Sequence, residues 1–276
     1  MKEIVRVNCI NHRYPDATEV SICGLSFVIH EGERVAVLGA NGSGKTTMLL
    51  HIVGILQPTK GEVTVFGGPP AKGALHGKVA MVFQDVDEQI IGPTVWDDIA
   101  FSPLNYGHRP EEVKDMVDGI IKELGIQHLA NRVPHYLSGG EKRKVAIAGA
   151  LVTHPRLLVL DEAMAGLDAR SRTEIIELLN RLNKERNIAM VVTTHEVDLV
   201  PRVADTVYVI SDGAIIFRGT PLELFRQPEV LRKANLEPPP LMELLKALKD
   251  GGLQVEVSDD LVEAKRQILR ICKARD

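Results

Sequence analysis

Eight residues, Gly39-Ala40-Asn41-Gly42-Ser43-Gly44-Lys45-Thr46, have the types and spacing to hold a polyphosphate. They follow the pattern of two glycines five apart with Lys and Thr after the second, the form of a phosphate-binding loop. Four fixed positions would match by chance in roughly one chain in a hundred of this length. Gly39, Gly42 and Gly44 let main-chain N–H groups curl round an anion without Cβ clashes. Arg34-Val35-Ala36-Val37-Leu38 before the loop reads as a short buried strand, and Thr46–Val53 after it as a helix ending at Gly54. The start of that helix aims its positive end at the same phosphates. In this arrangement Lys45 reaches the β and γ oxygens, the Thr46 hydroxyl meets Mg²⁺, and Asn41, Ser43 and Thr47 complete the cradle.

A second stretch, Leu137-Ser138-Gly139-Gly140-Glu141, opens another helical run. Ser138 is a good N-cap, and the paired glycines allow a phosphate close to the main chain. One loop already serves this chain's own nucleotide, so a second phosphate-seeking helix start points to a nucleotide held by another chain.

With these two segments the chain resembles the ATP-binding-cassette (ABC) ATPases, whose signature is LSGGQ; Glu141 stands at the fifth place. Further elements of that family follow in order. Tyr14 lies 25 residues before Gly39, at the place of an aromatic that stacks on adenine. Gln84, after Lys78-Val79-Ala80-Met81-Val82-Phe83, matches the Q-loop glutamine, and Leu157-Leu158-Val159-Leu160-Asp161-Glu162 matches Walker B. Ala165-Gly166-Leu167-Asp168 matches the D-loop, and His195 follows an apolar strand as the switch histidine does. The resemblance covers roughly residues 1–230. It implies that Asp161, Thr46 and Gln84 hold the Mg²⁺ shell, that Glu162 is the general base or water-orienting residue, and that His195 stabilises γ-phosphate charge. Asp168, Ser138, Gly139 and Gly140 are implied nucleotide contacts across a pair of cassettes. Ala163-Met164 depart from the family, which usually has Pro after the Walker B Glu.

The expected fold class is α/β: a P-loop ABC ATPase with a mixed front sheet, a wound core sheet, an inserted helical subdomain and a small C-terminal helical extension. The expected organisation is a nucleotide-binding domain over 1–234, its helical subdomain at about 94–150, and an extension over 235–276 that could serve as a dimer contact. Strands are expected at 3–9, 20–38 and 62–66, and further strands at 78–83, 157–161 and 188–194 end beside the loop, where wound sheets bind ligands. Pro238-Pro239-Pro240 marks a break before two amphipathic helices flanking Gly251-Gly252.

Composition narrows the function classes. The 276 residues carry a net charge of −4, so no basic surface argues for nucleic acid. No apolar run approaches the ~20 residues that span a bilayer, and residues 1–6 do not read as a signal segment. Cys9, Cys23 and Cys272 are scattered, and their spacing suggests neither zinc ligands nor a disulfide, which suits a reducing cytosol. Lys45 to Ser138 spans 93 positions without heptads, too short for the coiled coil of a chromosome-associated ABC ATPase. A ribosome-associated factor would carry two cassettes in one chain.

Residues 84–105, QDVDEQIIGPTVWDDIAFSPLN, narrow the resemblance to the ATPases of energy-coupling-factor (ECF) importers, especially the cobalt/nickel type. That likeness implies ATP and Mg²⁺ as cofactors and a peripheral position on the cytoplasmic face of the cell membrane. It also implies a homodimer or paired cassette, with a transmembrane ECF coupling protein and a substrate-capturing membrane protein as partners. Asp85, Asp87 and Glu88 are then counter-charges for a basic coupling helix. A conventional ABC transporter, or an ECF importer of a vitamin, is the alternative, separated from this reading by the identity of the membrane partner.

Overall fold

A computed structural model describes residues 2–71, 73–258 and 261–273. The four leading strands are β1 (Glu3–Arg13), β2 (Glu19–Gly24), β3 (Phe27–His30) and β4 (Arg34–Leu38). After the glycine loop come α1 (Lys45–Ile52), β5 (Lys60–Val65), β6 (Val79–Val82), α2 (Val86–Gln89), α3 (Val95–Asn105), α4 (Pro110–Glu123) and α5 (Gly139–Leu151). The rest of the core is β7 (Leu157–Asp161), α6 (Ala169–Arg186), β8 (Ala189–Thr194), α7 (Val200–Val203), β9 (Thr206–Ser211) and β10 (Ala214–Gly219). Four helices end the described chain: α8 (Pro221–Phe225), α9 (Pro228–Lys233), α10 (Pro240–Asp250) and α11 (Leu261–Lys273).

The sheet order is β3-β1-β2-β10-β9-β4-β8-β7-β6, with β5 added on β1. The front part, β1 with β2, β3 and β5, is antiparallel, whereas β9, β4, β8, β7 and β6 run parallel. The two parts form one sheet, joined by the parallel β10–β2 pairing at Ala214–Cys23 and Ile215–Gly24.

The central strands β7 and β8 are buried along their whole length because both faces are covered. On β4, Val35 and Val37 join the cluster under α1, and Ala36 and Leu38 join the cluster under the helices of the opposite face. β7 divides in the same way, with Leu157 and Val159 on one face and Leu158 and Leu160 on the other. This period of two fixes which strand ends meet. Ala163 and Met164, at 0% and 2% exposure, belong to the same buried cluster, so the residues after Glu162 anchor the Walker B turn by packing.

One sequence expectation is overturned. Cys9 and Cys23 form a disulfide. The β1–β2 register pairs Ile10 with Ile22, which sets Cys9 directly opposite Cys23. The side chain of Cys272 lies outside the described residues.

Candidate functional site

The glycine loop leaves β4 between β8 and β9, so the carboxyl ends of three parallel strands surround it. Gly39 is required by space, because a Cβ there would come within 2.6 Å of the Ile210 carbonyl oxygen and of Ser43 Oγ. Gly44 caps α1 at φ 97°, in the left-handed region that favours glycine. Ser43 Oγ is buried with no hydrogen-bond partner among the described residues. Buried hydroxyls are rarely left unpaired, so this orphan fits a loop shaped for phosphate oxygens.

Lys45 is 5% exposed. Its Nζ donates to the Gly39 and Ala40 carbonyls at 2.9 and 3.1 Å and lies 3.7 Å from Glu162 Oε1. Burial pulls its pKa below 10.5, and the Glu162 and Asp161 charges oppose that shift. The ammonium is therefore stored against groups that a phosphate would replace.

β7 delivers Asp161 and Glu162. Thr193, opposite Asp161 on β8, organises both: its Oγ1 donates to Asp161 Oδ1 at 2.5 Å and accepts from the Glu162 N–H at 2.9 Å. Glu162 has φ 44°, a left-handed conformation rare for a non-glycine residue, which turns its carboxylate back over the loop. Around that carboxylate stand Gln84 Nε2 at 3.5 Å and His195 Nδ1 at 3.4 Å. Thr46, Gln84 and Asp161 line one cleft of about 690 Å³. The donor set fits Mg²⁺: an exposed hydroxyl, an amide and one carboxylate, all hard oxygen ligands that leave room for phosphate oxygens and water.

Tyr14, on the turn between β1 and β2, is tied to the loop helix by a hydrogen bond between its hydroxyl and Thr47 Oγ1, 2.9 Å long. The His12 ring packs edge-on against Tyr14 at 4.5 Å, and the buried His51 ring meets His12 at 4.9 Å. Asn41 lines a neighbouring cleft with His195 and Arg172.

The remaining predicted residues form a separate group. Ser138 caps α5 in a closed box: its Oγ accepts from the Glu141 N–H, and Glu141 Oε2 accepts from the Ser138 N–H and hydroxyl at 2.8 Å. These bonds hold the Glu141 pKa below 4.5, and Glu at the fifth signature position closes the capping box as a Gln would. Gly139 opens α5, and a Cβ on Gly140 would meet Ser171 Oγ at 2.7 Å, so the signature rests against the first turn of α6. Asp168 caps that helix, accepting from the Arg170 and Ser171 N–H groups at 3.0 Å and from Ser171 Oγ at 2.6 Å, which lowers its pKa. Among the described residues, no hydrogen bond or ion pair joins Ser138, Gly139, Gly140 or Asp168 to the phosphate-binding loop.

The acidic stretch after Gln84 is less free than its sequence suggests. Asp85 caps α2, and Asp87 is ion-paired with Lys142 Nζ at 2.6 Å. Sequence reasoning missed Thr193 and Arg143; a threonine opposite the Walker B Asp becomes visible only once β7 and β8 are in register.

A phosphate-binding loop with two carboxylates and a histidine beside it is the arrangement of a nucleoside-triphosphate hydrolase. Residues 22–165 match the family described as ABC transporter. The energy-coupling factor transporter ATP-binding protein EcfA of Methanocaldococcus jannaschii is 43% identical over 278 residues, covering 99% of each chain. A putative ABC transporter ATP-binding protein of Methanosarcina acetivorans is 41% identical over 275 residues, 99% of this chain and 84% of that one. The solved structure of cbiO1 from Clostridium perfringens, part of the ABC transporter complex cbiONQ, superposes with a TM-score of 0.75 at 37% identity, covering 89% of this chain and 100% of that one. The chain belongs to the ABC transporter ATP-binding family and is an ABC-type ATPase; within the family its full-length relatives include the energy-coupling-factor ATP-binding proteins.

Proposed function

We propose that the protein is the ATP-hydrolysing subunit of an ECF-type importer, with cobalt or nickel ions as cargo. The observation that carries the ATP-driven part is the division of the nucleotide residues. Gly39–Thr47, Gln84, Asp161, Glu162 and His195 gather at one place, while Ser138–Gly140 and Asp168 gather against α6. A two-fold pair of cassettes would bring each group onto the other's nucleotide, so two chains would enclose two ATP molecules. Among the described residues no helix is long and apolar enough to cross a membrane, so the bilayer is reached through partner subunits.

In the proposed cycle, Lys45 exchanges the Gly39 and Ala40 carbonyls for the β and γ oxygens. Its departure leaves Glu162 free to orient water, with Gln84 and His195 fixing the carboxylate from either side. Bound Mg²⁺ would be held by Thr46, Asp161 and Gln84, and would neutralise phosphate charge. Tyr14 would stack on the base. Closure would then pull on a transmembrane coupling protein seated near α2 and α3, where Glu88, Phe101 and Leu104 are exposed.

The cargo rests on the resemblance of the 84–105 pattern to the cobalt/nickel type. Uptake of labelled cobalt and nickel by vesicles holding the complete complex tests it. ATP-dependent accumulation of either ion is the expected result, and accumulation of a vitamin alone would contradict it. Glu88→Lys should reduce co-purification of the membrane subunit while leaving the ATPase rate of the isolated chain unchanged.

A further inference from the structure

Arg143 lies one turn into α5 and is 5% exposed. Its guanidinium leaves the helix for the end of β6, where Nη1 donates to the Phe83 carbonyl at 2.9 Å and Nη2 to the Gln84 carbonyl at 3.2 Å. Nε is buried and has no hydrogen-bond partner among the described residues. Such a group is costly to bury, and a core position would be filled more cheaply by an apolar side chain. What the guanidinium supplies, and an ammonium does not, is a rigid fork that grips two acceptors at once. Here both acceptors are successive peptide carbonyls. Gripping them fixes the two peptide planes that carry Gln84, whose Nε2 stands 3.5 Å from Glu162 Oε2. The preceding residue of α5 makes a parallel link, Lys142 to Asp87, so the first turn of the signature helix holds the Q-loop from two sides.

We propose that Arg143 is a positioning residue for hydrolysis: from the signature helix it holds the Gln84 main chain so that the amide stays aimed at Glu162. This inference rests on the role given above to Gln84.

A double-mutant cycle on the full-length chain tests it, with ATP affinity and turnover measured for Arg143→Met, Gln84→Ala and the double variant. Each single change should lower kcat about tenfold, the worth of one charge-assisted hydrogen bond, with ATP affinity held within about threefold. Adding Arg143→Met to Gln84→Ala should cause no further loss, because the arginine acts through the glutamine. Arg143→Lys, which can reach one carbonyl, should recover part of the rate. Losses that multiply in the double variant overturn the proposal, as does wild-type turnover in Arg143→Met beside an impaired Gln84→Ala. Wild-type turnover in Gln84→Ala would mean that the Gln84 role itself is wrong, and the proposal falls with it. If Arg143→Met does not fold, Arg143→Lys in the two backgrounds makes the same comparison, and multiplying losses again reject the idea.

Discussion

Glu162→Gln separates hydrolysis from binding, and the structure states what each should do. The Glu162 main chain is set by its N–H to Thr193 Oγ1 at 2.9 Å and by the packing of Ala163 and Met164, none of which depends on the carboxylate charge. Glutamine has the same shape, so the change removes a base and little else. Loss of a positioned general base costs about 10²–10⁴ in rate, and the hundredfold end of that range is about 2.7 kcal/mol of barrier. The effect on binding has the opposite sign. Lys45 Nζ lies 3.7 Å from Glu162 Oε1, an attraction of about 4 kcal/mol before desolvation is counted. ATP must displace that contact, so the neutral variant should bind ATP at least as tightly as the wild type. Titration with labelled ATP and a coupled assay of ADP release measure the two quantities. Turnover within about threefold of the wild type would refute the assignment of Glu162. Weakened ATP binding would refute the stored-lysine argument; Lys45→Ala is the control that should lose affinity.

Two further outcomes follow from buried and cross-linked groups. Burial holds the His51 imidazole below its ordinary pKa of 6.5, opposed by a hydrogen bond to the Leu56 main chain and helped by neighbouring His12. The unfolded chain therefore takes up a proton near pH 6.5 that the folded chain refuses, so stability is full above that pH and falls as the pH drops below it. Denaturant titrations between pH 7.5 and about 5 should show that slope, and His51→Leu should flatten it; an unchanged slope would contradict the assignment. The Cys9–Cys23 bond closes a loop with a sequence separation of 14, for which chain-entropy arguments give about 3 kcal/mol. Dithiothreitol or Cys9→Ser should lower the unfolding temperature of the hairpin that carries Tyr14, and equal unfolding with and without reductant would contradict the cross-link.

The strands that end at Gln84, Asp161 and His195 were legible because each motif terminates an apolar run with turn chemistry after it. The C-terminal pair of helices was legible from the triple proline and Gly251-Gly252. The disulfide was not. A separation of 14 residues becomes a cross-strand pair only in one hairpin register, and register is fixed by which face is buried, not by cysteine spacing. The same reason hides Thr193, whose role exists only beside Asp161 on the next strand. Arg143 was hidden differently: in a run of Lys142-Arg143-Lys144 it reads as one more surface charge, yet Lys142 and Lys144 pair with Asp87 and Glu174 while Arg143 turns inward. In the acidic Asp85–Glu88 stretch, the cap made by Asp85 and the ion pair of Asp87 with Lys142 depend on α2 and α5 and are likewise hidden in the sequence.

The claim that two half-sites must meet across a pair of chains is tested most directly by light scattering on Glu162→Gln, with and without ATP and Mg²⁺. Because the catalytic half-site and the Ser138–Gly140 half-site lie apart within one chain, the variant should be monomeric without nucleotide and dimeric with it. A particle mass that ATP leaves unchanged at the monomer value would contradict the account for a pair of identical chains.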